Sequence, residues 1–236
     1  KDVPCARAYY YADFEGVSSA RLGEELVVEF ESSPGVAHLV CRCEDGRVVA
    51  AVAFDANEMR TFRSGLASNF KRHLDQSVEA GRILGGASRP GKVFSSGLLQ
   101  NTYRDPVASG AILLGDAGLH VDPLFGQGHS LALMSAEIMA AAAPRWFQGR
   151  NGRVIDSATM NEFTRARDAE LMPYYDASVR TSSELGLDRA TLLAHQAAAS
   201  EPWAADEMVR FAQMSIPRGK FPSFRFARLM ARRSRT

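Results

Sequence analysis

One stretch limits what this chain can fold into more than any other: GAILLGDAGLHVDPLFGQGHSLALMSAEIMA, Gly110 to Ala140. An apolar run ends in Gly115-Asp116, a loop with Pro123, Gly126 and Gly128 follows, and an alanine-rich helix closes the segment. The apolar AILL predicts a buried strand, and glycine at its end lets the chain turn while another group presses on the backbone. Asp116 then emerges at the strand end, where a carboxylate accepts hydrogen bonds from sugar-like hydroxyls and binds phosphate badly. Glycines just before a helix allow close backbone approach, and the free amides and dipole of the helix N-terminus favour an anion or an electron-rich ring edge. Taken apart, Asp116 reads as a loop or capping residue and the Pro/Gly loop as the lead into an ordinary helix. Taken together they point to a cradle for a cofactor.

The string GDAGLHVDPLFGQGHSLALMSAEIMA resembles the GD motif and following helix of FAD-dependent monooxygenases of the p-hydroxybenzoate hydroxylase fold. That pattern usually runs GDAAH, then P, then GxG, then a helix. The resemblance implies that Asp116 bonds the ribityl chain of FAD. It also implies that Gly115, Pro123, Gly126, Gln127, Gly128 and His129 complete the cofactor-binding stretch, the loop and helix start lying along the isoalloxazine and stabilising charge near its N1 and C2 carbonyl. The chain departs from the pattern at His129, where many hydroxylases have Asn, and at Leu119-His120, which follow Gly118 in place of Ala-His. VDPLFGQGH also resembles the flavin-dependent halogenases and the geranylgeranyl reductase group, whose motif often reads DPxxxxG. For His129 a helix-capping or packing role is the plain alternative.

The resemblance implies an oxidoreductase using FAD, with NAD(P)H as reductant, O2 as co-substrate and a small organic molecule hydroxylated or epoxidised through a flavin C4a-hydroperoxide. The cofactor carries the hard chemistry, so no residue is assigned as catalytic. A halogenase is the alternative. A non-catalytic remnant or partner-binding module that retains the fold is the alternative of another class. The strand, GxGxxG turn and helix that hold the FAD pyrophosphate in such enzymes are not found: Gly81 to Gly91 lacks both a good strand before it and a helix after it. Asp45-Gly46 reads as a hairpin turn, not as the family's second Asp-Gly motif. The resemblance covers roughly residues 1 to 180 and makes an N-terminal half an expected partner.

Elsewhere the pattern is that of a sheet. ARAYYYADFEGV, from Ala6, favours a strand whose faces alternate Tyr9/Tyr11/Asp13 with Tyr10/Ala12/Phe14. ELVVEFESSPG, VAHLVCRC, Glu44-Asp45-Gly46 and RVVAAVAFDA describe an antiparallel meander joined by Ser-Pro-Gly and Asp-Gly turns. Tyr9 and Tyr11 on the sheet and Phe125 in the loop are the expected substrate-pocket residues. Met59, Phe62, Leu66, Phe70 and Leu74 fall at helical spacing within Asn57 to Ser77 and predict one amphipathic helix backing the sheet. A further strand is expected in KVFSSGLLQNTYRDP. Helices are expected over Leu131 to Phe147 and Ile155 to Tyr175, with the segment Glu162 to Arg180 stopped or kinked at Pro173.

The fold class is therefore α+β, part of an α/β FAD-binding fold: an antiparallel substrate-covering sheet, then the GD-motif strand-loop-helix, then C-terminal helices. Expected boundaries are 1–105 for the sheet with its backing helix, 106–150 for the flavin-facing part and 151–236 for the helical region.

Composition excludes little. With 28 Lys+Arg against 27 Asp+Glu there is no global pull toward nucleic acid. The longest apolar run, Leu131 to Ala143, contains Glu137 and falls short of the ~20 residues of a membrane span. Cys5, Cys41 and Cys43 make neither a disulfide framework nor a CxxC ligand pair, so no metal site is expected and a reduced, cytoplasmic protein is the default. No signal peptide is read at Lys1. From Arg218 the chain has seven basic residues and no acidic one; a solvated terminal helix is expected, with attraction to a membrane surface or partner as the alternative.

Overall fold

The computed structural model describes the chain except for residues 24–25, 31–34, 90, 109–110, 149–156, 187, 217–219, 221 and 235–236. The backbone groups into two compact units, a sheet unit of residues 4–99 and 182–186 and a motif unit of residues 1–3, 100–181 and 187–236.

In the sheet unit, β1 (Asp2–Phe14), β2 (Leu26–Phe30), β3 (Ala37–Arg42), β4 (Val48–Asp55) and β5 (Phe94–Tyr103) lie in the order β2-β3-β4-β1-β5. The antiparallel β3–β4 hairpin turns where Asp-Gly predicts it: Gly46 has φ +80°, and its N–H donates to the Cys43 carbonyl at 2.9 Å. The Ser33-Pro34 part of the other expected turn lies outside the described residues. On β1 the expected alternation appears. Tyr10, Ala12 and Phe14 are buried, while Tyr11 is 40% exposed and stacks on Phe94 at 5.5 Å. Tyr9 is also buried, although it shares Tyr11's face of the strand.

The backing helix comes in pieces. The chain forms α1 (Met59–Arg63), α2 (Leu66–Gln76) and α3 (Val78–Leu84). Gly65 breaks the predicted single helix: it leaves the helical region at φ −144°, and the Asn69 amide takes the Phe62 carbonyl at 2.9 Å. The apolar face survives the break, with Phe62, Phe70 and Leu74 buried. Gly81, expected to open a break, instead lies inside α3. The Ser77 hydroxyl caps that helix at Ala80 N–H, and the Glu29 carboxylate accepts from Val78 and Glu79 N–H. Such caps are worth about 1 kcal/mol, enough to offset the ~1 kcal/mol that glycine costs a helix. The core gathers on aromatic stacks: Tyr10 lies over Phe62 at 4.7 Å and over Phe54 at 5.4 Å, and Phe54 over Phe62 at 4.3 Å.

In the motif unit the last residues of β5 pair antiparallel with β8 (Leu119–His120), while β6 (Val107–Ala108) pairs with β7 (Ala111–Ile112). The strand predicted over AILL is thus only two ladder residues long, because its partner β6 is equally short. Helices α4 (Gly128–Gln148), α5 (Ser157–Ser182), α6 (Arg189–Ser200), α7 (Pro202–Ala212) and α8 (Phe224–Arg233) complete the unit. The expected start of α5 at Ile155 lies outside the described residues. Pro173 does not stop α5: proline forfeits one backbone hydrogen bond, but it lies on the exposed side while Leu171, Tyr174 and Tyr175 bury against Tyr103, Leu119 and Leu131. The basic C-terminal segment forms α8, whose Phe226 packs with Ala194, Ala197 and Ala204. No helix among the described residues is long and apolar enough to cross a membrane, and no group of three or more metal-ligating side chains occurs among them.

Candidate flavin-facing site

Close contacts shape the glycine-rich segment at Gly115 and Gly118, while Gly126 is open. Gly115 has φ +54°, its N–H donates to the Ser135 hydroxyl at 3.0 Å, and a Cβ there would sit 3.1 Å from the Ala132 Cβ. The turn after β7 is therefore pressed onto α4, the close approach that glycine at this position predicts. Residues Gly115–Ala117 then make one 3-10 turn. Asp116 is exposed on it, with its Oδ1 4.0 Å from the place a Cβ on Gly128 would occupy. The strand-end carboxylate thus stands beside the first residue of a 21-residue helix.

The loop between them is held by two side chains. Asp122 is buried; its Oδ1 accepts from Leu124 N–H at 2.9 Å, and its own N–H donates to the Asn101 Oδ1 at 2.9 Å. Pro123 opens a 3-10 turn that ends at Gly126, which is left-handed at φ +66° and has nothing within 4 Å of a Cβ position. Leu131 N–H donates to the Gln127 carbonyl at 3.0 Å, so the helical ladder starts there and the earlier amides of the first turn point outward. His129 is exposed on this turn. The Gln127 side chain is engaged elsewhere, donating to the Ala212 carbonyl at the end of α7.

The seven residues expected around a cofactor therefore lie on one strand-loop-helix of the motif unit, and within it Asp116 and Gly128 come together. Tyr9 and Tyr11 belong to the sheet unit, and the Phe125 side chain lies outside the described residues. Sequence reasoning missed Asn101, Asp122 and Ser135, which position the loop. Asp before Pro was the available signal for Asp122. It also missed a buried clamp. The Arg167 guanidinium lies 4.4 Å over the Tyr103 ring, donates to the Arg104 carbonyl at 3.0 Å, and pairs with Asp168 at 2.8 Å. The Tyr103 hydroxyl donates to Asp168. Burial, reinforced by that bond, pushes the Tyr103 pKa up, so it stays a neutral donor.

No family model matches the chain, and no curated protein does. Solved structures do match its backbone. One is the myxobacterial chondrochloren halogenase CndH, a variant of FAD-dependent halogenases, with TM-score 0.63 and 18% identity over 89% of this chain and 50% of that one. Another is CmlS, a flavin-dependent halogenase, with TM-score 0.61 and 19% identity over 99% and 46%. A third is P. aeruginosa PqsL in complex with 2-aminobenzoylacetate, with TM-score 0.53 and 22% identity over 77% and 48%. The chain shares their fold. It spans about half the length of each.

Proposed function

We propose that this chain is the ring-facing part of an FAD-dependent oxidoreductase acting on a small organic molecule. The observation that carries the reading is the placement of the Asp116 carboxylate beside the start of α4, with the backbone between them opened by Gly126. These residues fit a flavin: the carboxylate suits ribityl hydroxyls, the outward amides of Gly128 and His129 suit the electron-rich edge of the ring, and Gly126 leaves its backbone face clear. The fold shared with flavin-dependent enzymes supports the same reading.

A bound flavin would supply hydride acceptance from NAD(P)H and activation of O2. The chain's own contribution is positioning. Asp116 accepts hydroxyl hydrogen bonds, and the helix start stabilises negative charge as it develops. Ser135 and Ala132 fix Gly115, and Asn101 and Asp122 fix the loop, so the site changes little as charge builds up.

Oxygen transfer is the reaction proposed. Halide oxidation is the second reading, favoured by the halogenases among the matched structures. The chain joined to a GxGxxG-bearing N-terminal half tests both. Flavin absorbance and NAD(P)H oxidation are expected, with Asp116→Ala weakening flavin binding about tenfold, the loss of one charge-assisted hydrogen bond. Absence of bound flavin from the joined protein would end the reading. A product that forms only with chloride or bromide present would select the halogenase.

A further inference from the structure

The sheet unit contains a cavity of about 600 Å³ that the flavin reading does not use, within the size range of small-molecule sites. Its lining is divided by chemistry. Arg60, Arg63, Thr61 and Asn57 are polar, Met59 and Leu98 are apolar, and no carboxylate is among them. Arg60 and Arg63 are one helical turn apart on α1, and neither forms an ion pair among the described residues. Charges of one sign concentrated in a concavity attract an opposite charge, and two guanidinium groups present fork-shaped donors that match a carboxylate.

The Arg63 guanidinium is built in. Its Nε donates to the Tyr10 hydroxyl at 3.0 Å, and Tyr10 is 1% exposed and stacked on Phe62 and Phe54. The core thus orients this cation and leaves its two terminal nitrogens for another acceptor. Asn57 is fixed in turn, because the Asp55 carboxylate accepts its N–H at 2.8 Å. Opposite the arginines, Leu98 is 70% exposed on β5, just after Gly97 turns left-handed at φ +71°. There the Ser96 hydroxyl accepts from the Tyr9 N–H at 3.3 Å and donates to the Tyr9 carbonyl at 3.4 Å, which ties β5 to β1 beside the left-handed Gly97.

We infer that this cavity binds an organic carboxylate with an apolar body, the carboxylate held by Arg60 and Arg63 and the body against Met59 and Leu98. The site belongs to the sheet unit alone and does not rest on the flavin reading. Its test is therefore run on the full chain without flavin or NAD(P)H. The probes are 2-naphthoate and its uncharged amide, 2-naphthamide, followed by amide chemical shifts in the folded protein.

Saturable shifts at residues 56–63 and 98 are expected with 2-naphthoate, and binding of the amide about tenfold weaker or more, the loss of one charge-assisted contact. Arg60→Gln, at an exposed position, and Arg63→Gln should each weaken 2-naphthoate about tenfold. Arg63→Lys should not restore it, since an ammonium lacks the planar fork. Leu98→Ser should weaken both probes alike. Equal affinity for the two probes would overturn the proposal. So would 2-naphthoate binding unchanged in Arg60→Gln, or reduced as much by Arg228→Gln on helix α8, which is not among the cavity's lining residues, since either marks adventitious attraction to surface arginines.

Discussion

In the sheet unit, three aromatic rings stack within 5.4 Å of one another and one Asp-Gly turn sets the β3–β4 register. In the motif unit, the strand leading to Gly115 keeps two paired residues, and the loop after it hangs on Asn101, Asp122 and Ser135. The first region is held by apolar area, which is large and tolerant of small shifts. The second is held by single polar atoms and forbidden side-chain volume, where one lost atom leaves a buried partner unsatisfied. A scaffold can rest on the first kind of contact. A site that must keep a carboxylate beside a helix start requires the second.

The largest effect expected is on the apolar side. Phe62→Ala removes a ring stacked on Tyr10, Phe54 and His73 and should cost about 3–5 kcal/mol in denaturant unfolding. A loss below about 1 kcal/mol would mean the stack is not what holds this unit. On the polar side, Asn101→Ala strands the Asp122 N–H and the Ser178 hydroxyl, a loss of about 2–3 kcal/mol. Hydrogen exchange at the Asp122 amide should accelerate, and unchanged protection there would break the contrast between the units. Gly115→Ala is smaller, about 1–2 kcal/mol, from left-handed strain and contact with Ala132. Adding Ala132→Gly should recover the contact part and leave the strain.

A weaker probe is pH. Burial lowers the pKa of His38 below the usual 6.5, the nearby His73 charge adds to this, and Glu29 opposes it; burial lowers His73 as well. Below about pH 6.5 the unfolded chain binds more protons than the folded one, so stability is full above that pH and declines as pH falls toward the lowered values. Unfolding midpoints measured from pH 8 to 5 should show the decline, flattened in His38→Gln. The smallest effect is Lys71→Ala, which removes an exposed ion pair with Asp75 and should stay within about 0.5 kcal/mol.

The same contrast explains what could be read from the letters. The faces of β1, the Asp-Gly hairpin and the apolar face of the backing helices follow from periodicity, because burial acts on every second or every third to fourth residue. Gly115 and Gly126 were legible because a glycine requirement leaves a glycine. Asn101 and Ser135 were not, since each acts on a backbone atom distant in sequence. The helical pieces at Gly65 and Gly81 turned on caps: Asn69 and Glu29 decided between continuing and stopping, and their partners are known only once the chain is folded.

Gly118 carries one more implication. Its N–H meets the Gly115 carbonyl at 2.9 Å, its carbonyl takes Arg104 N–H at 2.9 Å, and a Cβ on it would fall 2.8 Å from the Leu113 carbonyl oxygen. The backbone here, at φ −105°, would suit alanine well. What excludes it is a neighbouring carbonyl that has closed over the vacant space. A side chain at Gly118 is therefore barred by a neighbour's backbone and not by its own: residues around Leu113 would have to open before even a methyl group could enter.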